Sequence, residues 1–364
     1  SQDRLWFIEQ YERGTYAYHI PIILELSSLT NKEGVKYALR EIVCRHEVLR
    51  STITQGPSQE GIQVVQDALL PIEEISLGSY DDLEDLLRDD VNRPFDLASE
   101  YPIRVKFYDI DSGFGDNSFT GRTVLLVNTH HIASDGWSIE IFERELFAYY
   151  EAYVNKDRDF SLPPLEIQYK DYALWQRSYL TDEILEDQLR YWRDKLSGYQ
   201  MLALPTDYVR PSAIDYRGAQ CGFSFDSQTS ERLRVLAKDY GVTMHSLLLS
   251  ATGILLGKYA SQEDIVIGSP IANRHHRQTE GLIGFFVNTQ VNRLKLYADH
   301  SYEELIQEVH QDQISAQSYQ DLPFERLVNE LDVERDTSRH PVFQVMFGVQ
   351  SFGNVGKVSD DQRG

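Results

Sequence analysis

Two adjacent imidazoles, a carboxylate and a glycine stand close together in His130-His131-Ile132-Ala133-Ser134-Asp135-Gly136. Imidazole can accept and return a proton near neutral pH, so a histidine here is a candidate for acid–base work at a reacting centre. Successive side chains on an extended segment point to opposite faces. His130 and His131 therefore cannot both enter one cavity: one should face it while the other packs or caps. Asp135, four residues on, can fix a local turn or pair with a distant cation. Gly136 offers backbone without a side chain, which lets a ligand arm come close. Taken alone, the same string could be a satisfied core histidine pair followed by a turn. A metal site would need further ligands; the sequence has no cysteine cluster and no HExxH helix, so no metal is expected. No GxSxG elbow signals a serine nucleophile. A second pair, His275-His276, lies in an Arg- and Gln-rich stretch and reads as solvated loop.

The elements that must position these groups follow from periodicity. Val124 to Val127 is a short continuous apolar run, as in a strand buried on both faces. Ile139, Phe142, Leu146, Tyr149 and Tyr153 mark a helix directly after the histidines. Val35, Leu39, Ile42 and Val43 predict another that ends near Arg45. Ser161-Leu162-Pro163-Pro164 is a break, followed by a long polar-aromatic helical region from Tyr169 to Leu196. The irregular stretch from Leu204 to Pro211 is read as the junction region. Beyond it the pattern predicts a strand at Cys221–Phe225, helices at Ser230–Tyr240 and Met244–Tyr259, strands at Asp264–Gly268 and Phe285–Asn292, a helix through Tyr302, Leu305, Ile306 and Val309, and a late strand at Val342–Val349. Gly353 to Gly364 is polar and reads as a frayed end. No repeat or low-complexity tract stands out.

A chain of 364 residues exceeds one ordinary core and suits two lobes of about 150–200 residues each. Hydrophobic residues make up 41% and charged residues 25%, and the 22 Tyr and 16 Phe speak for a filled interior rather than disorder. There is no run of about 18 apolar residues, so no membrane span is expected. No signal peptide is visible at Ser1-Gln2-Asp3-Arg4. With only Cys44 and Cys221, a cytoplasmic protein is expected rather than an exported disulfide scaffold. A net charge of -22 repels phosphate backbones and argues against nucleic-acid binding.

Seven stretches, in order along nearly the whole chain, resemble one family. His130 to Gly136 is similar to the HHxxxDG motif of non-ribosomal peptide synthetase condensation domains and of their chloramphenicol acetyltransferase-like relatives. Ser1 to Phe7 resembles an opening SxAQxRLWF stretch. Arg45-His46-Glu47-Val48-Leu49-Arg50 resembles RHExLR, and Tyr169 to Trp175 resembles YxDYAxW. Ile283 to Arg293 is similar to IGxFVNTxxxR, Gln320 to Glu325 to QDxPFE, and Arg335 to Pro341 to RDxSRNP, with His340 in place of Asn. The chain also runs out soon after Phe347, where the family usually continues, so its C-terminal end reads as truncated.

The resemblance implies an α+β fold of two chloramphenicol acetyltransferase-like lobes, residues 1–175 and 176–364, in a V-shaped pseudo-dimer with a central tunnel. A floor loop near 271–286 would reach across from the second lobe. His131 would lie at the reacting centre, within a catalytic set of His130, His131, Asp135 and Gly136. Asp135 would pair with Arg293, and Trp137, Ser138 and Asn288 would line the tunnel. The implied reaction is attack of a carrier-bound acceptor α-amine on a carrier-bound donor thioester. Both substrates would hang on 4'-phosphopantetheine arms of upstream and downstream carrier domains, with an adenylation domain adjacent, and the domain would act as a monomer. Trp137 after the motif and the RDxSR stretch favour condensation over epimerisation. A cyclisation domain would carry an Asp-rich variant. His131, Asp135 and Arg293 speak against a non-catalytic recruitment platform. A coenzyme A-dependent acetyltransferase would be one lobe. Segments around His19, Trp137, Phe285 and Phe343 resemble the subtype that takes a D-configured donor.

Overall fold

The computed structural model describes residues 2–3, 5–6, 18–110, 121–333 and 336–350. Ser1, Arg4 and Phe7 of the opening stretch, Ala17, Arg335, and the polar end 353–364 lie outside the described residues. By its contacts the chain divides into two compact units, Ser1–Thr181 with Ala272–Val287, and Asp182–Ile271 with Asn288–Gly364.

In the first unit the run Val124–Val127 lies within β6 (Arg122–His130). The other strands are β1 (His19–Leu26), β2 (Ser51–Gln55), β3 (Gly61–Val65), β4 (Ile72–Leu77) and β5 (Ile103–Ile110). Strands β1, β6, β5 and β4 form one sheet in that order, while β2 and β3 form a hairpin ladder apart. β6 is flanked on both edges by antiparallel neighbours, with His130 opposite His19 and Thr129 opposite Ile103. Its apolar run is continuous because both faces are covered. Leu125 and Val127 enter a core with Leu39 and Ile42 of α1 (Lys32–Arg45) and Phe142 of α3 (Gly136–Val154). Val124 and Leu126 point the other way, towards Leu83, Leu86 and Leu87 of α2 (Leu83–Asn92). Helix α1 starts where Asn31 accepts from the Gly34 amide, one of the amides a helix start leaves unpaired.

The expected helix over 169–196 is two helices. α4 (Tyr169–Tyr179) closes the first unit and α5 (Asp182–Leu196) opens the second. The break at Leu180–Thr181 ends on Asp182 with a φ of 48°, a left-handed conformation that no helix interior tolerates. The expected boundary after residue 175 therefore falls inside α4, and the contact boundary follows Thr181.

The second unit continues with α6 (Ser227–Asp239), α7 (Met244–Ala260), β7 (Asp264–Ile271), β8 (Asn288–Lys295), α8 (Tyr302–Ala316) and α9 (Phe324–Glu330). β7 and β8 are antiparallel. The expected strand at Cys221–Phe225 does not form: the segment has no ladder partner among the described residues, and Phe223 is 83% exposed. Its alternation is a strand pattern without a neighbour among the described residues to pair with. The late strand is reduced to one parallel bridge, Gly268 with Met346. The architecture is α+β.

Candidate active site

β6 ends at His130, and the chain turns through one 3-10 turn, His131–Ala133, before α3 begins. The alternation argument separates the two imidazoles as expected. His130 is fully buried, and its Nδ1 accepts the Ile132 amide at 3.0 Å, capping that turn. His131 is half-buried. Its Nδ1 is shielded from solvent without a partner at hydrogen-bonding distance, and its ring meets Phe285 edge to face at 4.9 Å. Burial pushes the His131 pKa below the ordinary imidazole value. The nearby backbone of His131 and Ser134 and the Asp135 carboxylate oppose the shift only in part. His131 is therefore neutral at neutral pH and can accept a proton.

Asp135 does both things open to it in the sequence. It is the N-cap of α3, with Oδ1 accepting the Ser138 amide and hydroxyl, each at 2.9 Å. The same oxygen takes Arg274 Nη2 at 3.3 Å, and Oδ2 accepts the amides of Phe286 and Val287 at 3.0 and 3.1 Å. A fully buried carboxylate thus meets five donors. Arg274 also donates to the carbonyls of Thr279 and Leu282 and lies over the Phe286 ring at 4.3 Å. These bonds tie the segment 272–287 to the start of α3, which is why it belongs to the first unit. They also explain why β8 begins at Asn288 rather than at Phe285: the amides of Phe286 and Val287 go to a carboxylate, not to a ladder.

Three further fastenings hold the segment. The Ser138 hydroxyl lies 3.1 Å from the Gly284 amide, which donates to it. His46 Nδ1 accepts the Ile283 amide at 3.4 Å, leaving Nε2–H to donate to Glu145 at 2.8 Å. Tyr169 Oη donates to the Phe285 carbonyl at 2.7 Å. The RHExLR and YxDYAxW stretches thus act as anchors, and Arg45 completes the first by pairing with Glu145 at 2.5 Å. At Gly284 an added Cβ would collide with Cδ2 of the Tyr169 ring. Gly284→Ala should therefore destabilise the protein by about 1–3 kcal/mol, the usual cost of overpacking. Urea melts check this; Tyr169→Leu should recover part of the loss in the double variant, and an unchanged midpoint in Gly284→Ala would contradict the close approach.

Two expectations about the site are corrected, those for Arg293 and Ser138. Arg293 does not pair with Asp135: its guanidinium is held bidentately by Asp264 at 2.7 and 3.0 Å and by the carbonyls of Lys195 and Ser197. Its charge is spent inside the second unit, and Arg274 is the partner of Asp135. Ser138 lines no open surface, being fully buried in the knot around Asp135. Asn288 is half-buried, and its side chain donates to the carbonyls of Gln320 and Leu322 and accepts the Phe324 amide. Gly136 is exposed at the first turn of α3, and a Cβ there would meet nothing within 4 Å. The protein's own packing does not require a glycine at 136. Trp137, the remaining residue of that set, is half-buried beside it. His275 and His276 are exposed, as expected of a loop, with His276 edge-on to Trp175. Among the described residues no three His, Cys, Asp or Glu side chains cluster to hold a metal.

The family model described as condensation domain matches residues 1–363. One of the linear gramicidin synthase proteins of Brevibacillus parabrevis is 38% identical over 359 residues, which are 96% of this chain and 7% of that protein. A second protein of the same synthase is 39% identical over 97% of this chain and 4% of its own length. The chain therefore spans only a small fraction of the curated relatives it matches. Among solved structures, the X-domain from teicoplanin biosynthesis superposes with a TM-score of 0.83 at 29% identity, over 95% of this chain and 75% of that one. The first condensation domain of the calcium-dependent antibiotic synthetase superposes with a TM-score of 0.74 at 16% identity, over 97% and 80%, a likeness of fold alone.

Proposed function

The chain belongs to the condensation-domain family, and from that premise we propose that it forms peptide bonds within a non-ribosomal peptide synthetase, with His131 at the reacting centre. The substrates are two acyl groups held as thioesters on 4'-phosphopantetheine arms of an upstream and a downstream carrier domain, with an adenylation domain as neighbour. The acceptor nitrogen attacks the donor carbonyl. A C–N bond forms, the donor C–S bond breaks, the donor thiol leaves, and the nitrogen gives up one proton. An α-amine has an ordinary pKa of about 7.7–8.0, so a useful fraction is neutral before attack. The nitrogen becomes acidic only once it has bonded to carbon, and a neutral imidazole is then a competent acceptor. Holding both reactants on one protein supplies effective molarity.

The observation that carries this reading is the contrast between the two imidazoles. His130 is buried and spent on a backbone amide, whereas His131 is half-buried, with its pKa pushed below the ordinary imidazole value by burial. The resemblance of the segments around His19, Trp137, Phe285 and Phe343 supports a D-configured donor residue. Donor and acceptor carriers loaded with defined L or D aminoacyl groups test both points. A dipeptidyl thioester found by mass spectrometry, favoured with the D donor, is the expected product. Inversion of one aminoacyl group without coupling would replace condensation by epimerisation, and no reaction at all would replace both by a non-catalytic role.

Because a Cβ at Gly136 meets no protein atom, Gly136→Ala should leave the melting temperature unchanged. If a pantetheine arm passes that surface, coupling should fall more for carrier-bound donors than for short thioester mimics. Equal loss with both would remove Gly136 from the substrate path.

A further inference from the structure

Phe285 is held by its neighbours more firmly than a loop residue needs to be. Its carbonyl accepts from Tyr169, the two amides after it go to Asp135, and the amide before it goes to Ser138. The outcome of this bracing is an aromatic ring, only 8% exposed, whose centroid lies 4.9 Å from that of His131 with the two planes at 79°. On the other partner, His131 Nδ1 is buried without a hydrogen bond. Leaving a buried polar atom unpaired costs free energy. The same shielding from water disfavours the protonated ring and lowers the imidazole pKa. The charged and titratable groups that face the ring are Asp135 from the α3 cap, which favours the protonated form, and His130 from β6, which opposes it. Arg274, the cation of the segment that carries Phe285, is committed to Asp135. The shielding of the ring outweighs the pull of Asp135.

We propose that Phe285 is the positioning residue for His131: an aromatic ring, locked through Asp135 and Tyr169, that fixes the orientation of the imidazole and keeps water from its buried face. The inference rests on the reading of His131 as the proton acceptor, but part of its test needs no turnover. Phe285→Leu keeps apolar bulk and loses the perpendicular aromatic contact; Phe285→Ala opens the face to water. The His131 ring is followed by NMR in the whole chain with 13C-labelled histidine, its resonance being the one lost in His131→Ala.

In Phe285→Ala the His131 midpoint should rise towards the ordinary value of about 6.5, with a smaller rise in Phe285→Leu. Coupling at neutral pH should fall on the order of tenfold to a hundredfold, as for a misplaced reacting group. The acid limb of the rate should move up with the midpoint. Identical His131 titrations in the parent and Phe285→Leu overturn the proposal, whether or not Phe285→Ala folds. Full activity of His131→Ala would instead overturn the catalytic reading and leave the titration result standing.

Discussion

Asp135→Asn should cost about 3–5 kcal/mol of stability, the loss typical of one partner removed from a buried ion pair. The substitution is nearly isosteric, so the loss is electrostatic. Arg274 stays charged with a side chain only 8% exposed, and burial already disfavours its charged form, which Asp135 offsets. Of five donors aimed at the carboxylate, those facing the new amide nitrogen would meet another donor. Against a total stability of about 5–15 kcal/mol this is a large fraction. The reverse change, Arg274→Met, should cost less, because the carboxylate keeps four other donors. Urea unfolding, with each unit's transition followed separately, would show the asymmetry. A double-mutant cycle should give strong coupling of Asp135 with Arg274 and none with Arg293. A loss below about 1 kcal/mol in Asp135→Asn would mean the carboxylate is not buried and paired as described.

That knot marks where sequence reasoning stops. The separation of His130 from His131 was legible because strand alternation is local, and so were the cap at Asp135 and the helix after it, which depend on residues within one turn. The partner cation was not legible. Arg274, just after β7, and Arg293, inside β8, both lie far along the chain, and no local rule states which guanidinium reaches the carboxylate and which is taken by Asp264. Arg274 offered one signal: it closely follows the strand that leads into the 272–287 segment. Phe285 was missed for a related reason. Its apolar run reads as strand, and only the capture of the next two amides by Asp135 keeps it out of β8. Cys221–Phe225 fails in the opposite sense, since alternation records which face would be buried but not whether a neighbouring strand exists.

His131→Ala should lower the coupling rate by about 10²–10⁴-fold, the range for loss of a general base, while leaving the fold intact. His131 is half-buried and is not one of the residues that fill the core. The pH dependence makes the assignment specific. Two ionisations limit the parent at low pH: the substrate amine, at about 7.7–8.0, and His131, whose pKa burial holds below the ordinary value. Log rate at subsaturating acceptor should rise with pH at a slope of about two below the His131 pKa and about one between the two, since each proton lost opens one factor in the rate. His131→Ala keeps only the amine's limb.

Stability supplies an independent check. Because the folded-state pKa of His131 is depressed, the unfolded chain binds more protons as pH falls through the ordinary imidazole value. The parent therefore loses stability over that window through this group. His245, also lowered by burial, contributes equally to both proteins. The parent should thus lose more melting temperature than His131→Ala between neutral and mildly acidic pH. Equal losses, together with an unchanged slope in the rate profile, would leave His131 as a bystander beside the reaction.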